Sequence, residues 1–264
     1  MRLLVLLLCV LALPVQAQLR VVSLAPSLTE IMLELDAGDL LVGVLDGGER
    51  PPAVKHLPSV GNFGQLELES LLNLQPDLVL LWPDSISRTQ RQQLTQLSIP
   101  VLIAEPRRLA DLAEQFALIG TRIGRAEQGE HLRQRFNQGL LQLRKDYQRR
   151  QPLRVFYQVW DVPLYTLGGQ QIVSDALQVC GAQNIFADLT LPAPQVSVEA
   201  VLERNPEVIL AGTQGQLDAW RIWPGLAAVE REQLWLVPDD GLERPSFQML
   251  KATEQLCEQL RAAH

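Results

Sequence analysis

Apolar residues recur between positions 126 and 150 at Leu132, Phe136, Leu140, Leu143 and Tyr147. Spacings of three and four put them on one stripe of a 3.6-residue helix. The other faces carry Arg133, Arg135, Gln142, Lys145 and Arg149, no proline interrupts the run, and Pro152 follows it. The pattern predicts a helix from Ala126 to Arg150, roughly 37 Å long, about the diameter of a small domain. Such a helix is either a rigid bridge between two lobes or a long surface helix of one domain.

On both sides of it, short apolar runs alternate with helical patterns. Strands are predicted at 19–22, 41–44, 77–81 and 101–103, with helices at 27–35, 66–74, 86–97 and 109–123. Ser27 and Glu30 form an S-x-x-E capping box for the first helix. Pro51, Pro52 and Pro58 mark an irregular connection as far as Val60. After the central helix, strands are predicted at 154–159, 208–211 and 234–237. Helices are predicted at 172–179, from a Ser197 cap to Arg204, near Asp218, and from Pro245 to about Ala262, proline being favoured at a helix start. This alternation specifies an α/β fold with mostly parallel sheets. Residues 68–80 also match residues 198–210: Glu69 and Glu199, Leu72 and Leu202, Pro76 and Pro206, Asp77 and Glu207 fall in register. A helix–proline–acid–strand unit repeated across the central helix favours two lobes related by a pseudo-twofold. The expected layout is a leader at 1–17, an N-terminal lobe at 18–124, a bridging helix at 125–151 and a C-terminal lobe at 152–264.

Composition narrows the partners. The formal net charge of −7 disfavours nucleic acid. Arg2, the apolar run 3–13 and Val15-Gln16-Ala17 make a Sec-type signal peptide with cleavage after Ala17. The run is too short to span a bilayer. Leu8 precedes Cys9 where a lipoprotein anchor needs a small residue, and cleavage removes Cys9. Cys180 and Cys257 remain, as one disulfide or as two buried thiols.

Motifs for catalysis are missing. The histidines, His56, His131 and His264, have no metal-ligand spacing, and there is no H-E-x-x-H, G-x-S-x-G or Walker lysine. Glu69 and Glu199 sit at helix starts, where a carboxylate also complements the helix dipole. A secreted α/β hydrolase remains a distant alternative. In open α/β sheets, ligands bind beyond the carboxyl ends of the strands, so the inter-lobe cleft is the expected site. Pro26, Gly47, Trp82, the segment Trp160 to Tyr165, residues 212–215 and the loop 238–244 fall at such ends. Aromatic side chains there suit a large, flat, partly apolar ligand. Arg244, beside Glu243, is a candidate anchor for a polar group.

Val42-Gly43-Val44, Pro51-Pro52, Leu68-Glu69 and Gln75-Pro76-Asp77-Leu78-Val79 resemble the N-lobe of periplasmic substrate-binding proteins with a bridging helix. Leu177 to Gly181, Asn184-Ile185-Phe186, Pro194-Gln195-Val196-Ser197, Glu243-Arg244 and Gln255-Leu256-Cys257 are similar to the cobalamin branch of that family. The resemblance covers nearly all of the expected mature chain. It implies two Rossmann-like lobes on one helix, with no resident cofactor or metal and no catalytic residue. The implied ligand is a transported corrinoid held at Pro26, Gly47, Phe63, Trp82, Trp160, Tyr165 and the loop Asp240, Gly241, Leu242, Glu243 and Arg244. The implied disulfide is Cys180 to Cys257. The implied partners are an inner-membrane ABC permease, docked through Glu69 and Glu199, and its ATPase; the implied state is a periplasmic monomer. An iron–siderophore or haem ligand is the alternative within this fold. Phe63, Gly47 and Ala193 stand where that branch carries larger aromatics, and Gly241-Leu242 where it carries a bulkier pair, which implies a roomier cleft.

Overall fold

The computed structural model describes residues 18–263, so the expected leader at 1–17 lies outside the described residues. The first lobe comprises β1 (Val21–Ser23), α1 (Pro26–Glu34), β2 (Leu41–Asp46), β3 (Ser59–Asn62), β4 (Gln65–Leu66), α2 (Leu68–Asn73), β5 (Leu78–Leu81), α3 (Arg88–Gln96), β6 (Val101–Ile103) and α4 (Leu109–Arg122). The long helix α5 (Ala126–Tyr147) follows. The second lobe comprises β7 (Leu153–Trp160), β8 (Tyr165–Thr166), α6 (Ile172–Val179), β9 (Ala182–Asn184), α7 (Val198–Arg204), β10 (Val208–Ala211), α8 (Gln214–Asp218), α9 (Ala227–Glu230), β11 (Leu234–Leu236) and α10 (Met249–Arg261).

The first sheet has the order β4-β3-β2-β1-β5-β6, the second β11-β10-β7-β8, with β9 also against β7. Pairing is parallel except for β3 with β4 and β7 with β8. The chain is thus α/β, with two Rossmann-like lobes joined by one long helix. Strands β3, β4, β8 and β9 carry two to four residues each, too few for the two-residue period to register in the sequence.

The predicted stripe of α5 is the buried one. Leu132, Phe136, Leu140 and Leu143 are inside, and Tyr147 is half-buried with the Arg261 guanidinium 4.4 Å over its ring. The helix ends at Tyr147, earlier than Arg150, because Gln148 is extended (φ −60°, ψ 133°). It is a spine packed on both lobes rather than a free strut. Against α4, a Cβ on Gly129 would lie 2.5 Å from the Phe116 carbonyl oxygen, so this crossing requires glycine. The Phe116 and Phe136 rings meet edge-to-face at 5.4 Å, and Phe247, from the segment before α10, lies 5.8 Å from Phe136. One apolar core therefore runs through the inner faces of both sheets and α1, α4, α5, α6 and α10, while the outer faces form two smaller cores.

The repeat is real in three dimensions and extends further than the matched residues. Gln75 (φ 44°) and Asn205 (φ 41°) turn the chain through the left-handed region just before Pro76 and Pro206. Asp77 then accepts the backbone N–H of Arg20 at 2.8 Å, and Glu207 that of Arg154 at 3.0 Å. The two arginines return the favour: Arg20 donates to the Leu74 carbonyl at 2.8 Å and Arg154 to the Arg204 carbonyl.

Two helix starts differ from expectation. Ala25, not Ser27, is the N-cap of α1, with Pro26 in its first turn and no side-chain cap. The Ser27–Glu30 capping box does not form, which leaves Glu30 to bond elsewhere. The last helix begins at Met249 rather than Pro245, because residues 244–248 are drawn onto α1.

Candidate ligand-binding cleft

The sequence puts β1, β2 and β5 side by side and parallel, so their carboxyl ends open at one edge of the first sheet. Ala25, Pro26 and Ser27 follow β1, Gly47 follows β2, Trp82 follows β5, and Phe63 lies between β3 and β4. Facing them from the second lobe is the loop after β11, folded as a short 3-10 turn over Asp240–Glu243. Together these residues, with Asp240, Glu243, Arg244 and Pro245, line a cavity of about 760 Å³. That is within the usual range for a small-molecule site. Of the residues expected to bind ligand, Pro26, Gly47, Phe63, Trp82, Asp240, Glu243 and Arg244 converge here.

The other four do not line the cavity. Gly241 and Leu242 are buried, and Leu242 is 0% exposed in the central core. They anchor the turn, whose Gly241 N–H donates to Asp239 Oδ1 at 2.7 Å. Their size therefore does not set the width of the cleft. Trp160 is 58% exposed and pairs across the β7–β8 ladder with Tyr165, its indole N–H donating to the Val162 carbonyl at 3.2 Å. Residues 212–215 are likewise outside the lining. Glu69 and Glu199 are exposed in the first turns of α2 and α7, away from the cavity.

The two walls differ in charge. Ala25, Pro26, Ser27, Gly47, Phe63 and Trp82 carry no ionisable group, whereas the opposite wall presents two carboxylates and one guanidinium. Arg244 reaches across to the first lobe and pairs with Glu30 at 3.2 Å, the Glu30 side chain being only 14% exposed. A Cβ on Gly48 (φ +109°) would lie 3.2 Å from Arg244 Nη2, so backbone conformation and space both favour glycine there. Ser246 Oγ donates to Glu30 at 2.9 Å and Gln248 Nε2 at 2.5 Å. One turn on, Glu34 accepts the Phe247 N–H at 2.9 Å. Burial raises the Glu34 carboxyl to about 7, opposed by the Phe247 N–H and reinforced by the negative charge of Glu30. On the cavity wall, Glu243 accepts from the Tyr157 hydroxyl at 3.1 Å. Tyr157 is buried at the middle of β7, and burial, then Glu243, keeps its hydroxyl protonated. Sequence reading missed Tyr157, Glu30 and Glu34 as parts of this region; each acts through a partner far away in the chain.

Cys180 and Cys257 form a disulfide that ties the end of α6 to α10. A second cavity, of about 660 Å³, lies where α5 and α6 end, lined by Arg144, Lys145 and Arg149 among others. Cations at two converging helix C-termini complement the helix dipoles, which accounts for its charge. Among the described residues there is no cluster of metal-ligating side chains, and no helix is long and apolar enough to cross a membrane.

Two α/β lobes on a helical spine, with a cavity between them at the strand ends, is the architecture of a substrate-binding protein. Residues 21–240 match the family described as periplasmic binding protein, and the chain belongs to that family. It is 35% identical over 247 residues to the vitamin B12-binding protein of Vibrio cholerae serotype O1, covering 92% of this chain and 90% of that one. It is 36% identical over 262 residues to the vitamin B12-binding protein of Yersinia pestis, covering 97% and 91%. The crystal structure of the periplasmic vitamin B12 binding protein BtuF of Vibrio cholerae superposes with a TM-score of 0.82 at 35% identity, covering 92% of this chain and 96% of that one. The periplasmic heme binding protein HutB of Vibrio cholerae superposes with a TM-score of 0.78 at 20% identity, covering 92% and 98%, a likeness of fold alone.

Proposed function

We propose that this protein captures cobalamin or a related corrinoid in the inter-lobe cleft and delivers it to an ABC-transporter permease. The observation that carries the reading is the cavity itself. Phe63 and Trp82 offer aromatic faces for a flat macrocycle, while Asp240, Glu243 and Arg244 offer polar contacts at its rim. Kinship with vitamin B12-binding proteins over nearly the whole described chain supports the choice of ligand. The corrinoid is cargo rather than cofactor, and no bond is made or broken.

Delivery rests on Glu69 and Glu199, exposed in equivalent first turns of the two lobes, as the contacts with the permease and its ATPase-bound assembly. The protein acts as a monomer in the periplasm after cleavage behind Ala17, so the mature chain starts at Gln18, which N-terminal sequencing checks.

Titration with cyanocobalamin, cobinamide, haem and ferric siderophores, read by absorbance and melting temperature, tests the ligand. Micromolar or tighter corrinoid binding is expected. Binding of a ferric complex without corrinoid binding would move the protein to the iron-carrier reading. Glu69→Arg combined with Glu199→Arg is expected to abolish uptake while ligand still binds; loss of ligand binding would put these residues in the cleft instead.

A further inference from the structure

We infer that Glu30 sets the class of ligand the cleft admits, by neutralising the one cation on its walls, so that amide-bearing corrinoids enter and carboxylate-bearing tetrapyrroles are rejected. The inference rests on the corrinoid reading above and narrows it. Among the residues lining the cavity, Arg244 is the one positive charge. Its charge is already paired: Glu30, which is not among the lining residues, meets it at 3.2 Å, and Glu30 is itself held by Ser246 and Gln248. An anionic ligand group thus finds no unpaired guanidinium. It finds two carboxylates instead, Asp240 and Glu243, the latter pinned by the buried Tyr157 hydroxyl at 3.1 Å. The facing wall has no charge with which to compensate.

Like charges brought together in a partly desolvated cleft cost binding energy, and specificity is often built from such repulsion. Primary amides on a corrinoid rim donate N–H groups to those same carboxylates. Hydrolysing one amide to an acid turns a donor into an anion facing them, and haem propionates are in the same position. Glu30 lines no part of the cavity, so its role is one of positioning and charge.

The test compares cyanocobalamin with its monocarboxylic acid derivatives, each amide hydrolysed in turn, against wild type, Glu30→Gln and Glu243→Gln. Wild type is expected to bind at least one monoacid about tenfold more weakly than the parent. Glu30→Gln keeps an acceptor for Ser246 and frees Arg244, so that monoacid should gain affinity relative to the parent. A purely structural role for Glu30 would instead weaken both ligands alike. Glu243→Gln should narrow the ratio independently if Glu30→Gln does not fold. Equal wild-type affinity for the parent and every monoacid overturns the charge filter and leaves the corrinoid reading standing. Failure to bind any corrinoid overturns both.

Discussion

In the first lobe Asp77 holds the backbone N–H of Arg20, and in the second Glu207 holds that of Arg154, in nearly the same geometry (2.8 and 3.0 Å). At the opposite ends of the same sheets the likeness is gone: Pro26, Gly47, Phe63 and Trp82 confront Asp240, Glu243 and Arg244. The two lobes therefore repeat a scaffold at the amino ends of their strands and diverge at the carboxyl ends. Loops at the carboxyl ends can vary because the hold on each strand lies elsewhere. A duplicated unit thereby yields a cleft with one apolar and one charged wall.

The largest asymmetry open to experiment is covalent. Among the described residues the disulfide belongs to the second lobe, where it closes a 77-residue separation. Replacing Cys180 and Cys257 by serine is expected to lower stability by about 4–5 kcal/mol in the chain-entropy model, read by urea denaturation. A loss confined to probes in the second lobe would show that the shared core does not make the lobes unfold together.

The inter-lobe contact through Glu34 comes next. Its native carboxyl titrates at about 7 against the ordinary value of 4.5, chiefly because it is buried. Between those values the native state holds the extra proton, so this contribution is complete below the lower value and is lost as pH rises to about 7. The swing amounts to at most about 3 kcal/mol. The charged groups around this segment are Glu30, Arg135, whose guanidinium lies 5.0 Å over the Phe247 ring, and Arg244, paired with Glu30 at 3.2 Å. Melting curves from pH 4.5 to 8 should show the wild type losing stability relative to Glu34→Gln as pH rises; parallel curves would contradict the shift.

Smaller effects test the repeat. Asp77→Ala and Glu207→Ala each strip a strand-start N–H of its acceptor and should cost about 1–2 kcal/mol apiece. Glu207 also pairs with Arg231 at 2.9 Å, a partly exposed contact worth under about 1 kcal/mol. A wider gap between the two variants would mean that the holds are not equivalent. Smallest is the cap. Ser197 Oγ accepts the Ala200 N–H at 3.2 Å, whereas α2 has no such bond. Ser197→Ala should cost about 1 kcal/mol and Glu67→Ala close to nothing, by thermal denaturation.

Local pattern carried much of this. The stripe from Leu132 to Leu143 marked the buried face of α5, Ser197 marked a helix start, and the matched residues 68–80 and 198–210 marked two lobes. It misled where a local motif competed with a distant partner. Ser27 and Glu30 have capping-box spacing, yet Glu30 bonds residues more than 210 positions away. By sequence Trp160 and Tyr165 fall just after a strand, as Trp82 does, but in the fold they are paired residues of β7 and β8 and lie outside the cavity lining. Leu242 lies in a loop by sequence and in the core by structure.

By itself, the sequence determined what depends on residues a few positions apart: element types, the apolar stripe, the repeated unit and thereby the two-lobed fold, while its short motifs carried the resemblance to the family. Tertiary structure decided what depends on pairs from different lobes: the Glu30–Arg244 bond, the Phe247 N–H on Glu34, and Tyr157 behind Glu243. Hydrophobic periodicity leaves a mark in the chain because each residue answers to its own burial. A charge pair across lobes leaves none, because neither partner's neighbours record where the other will be.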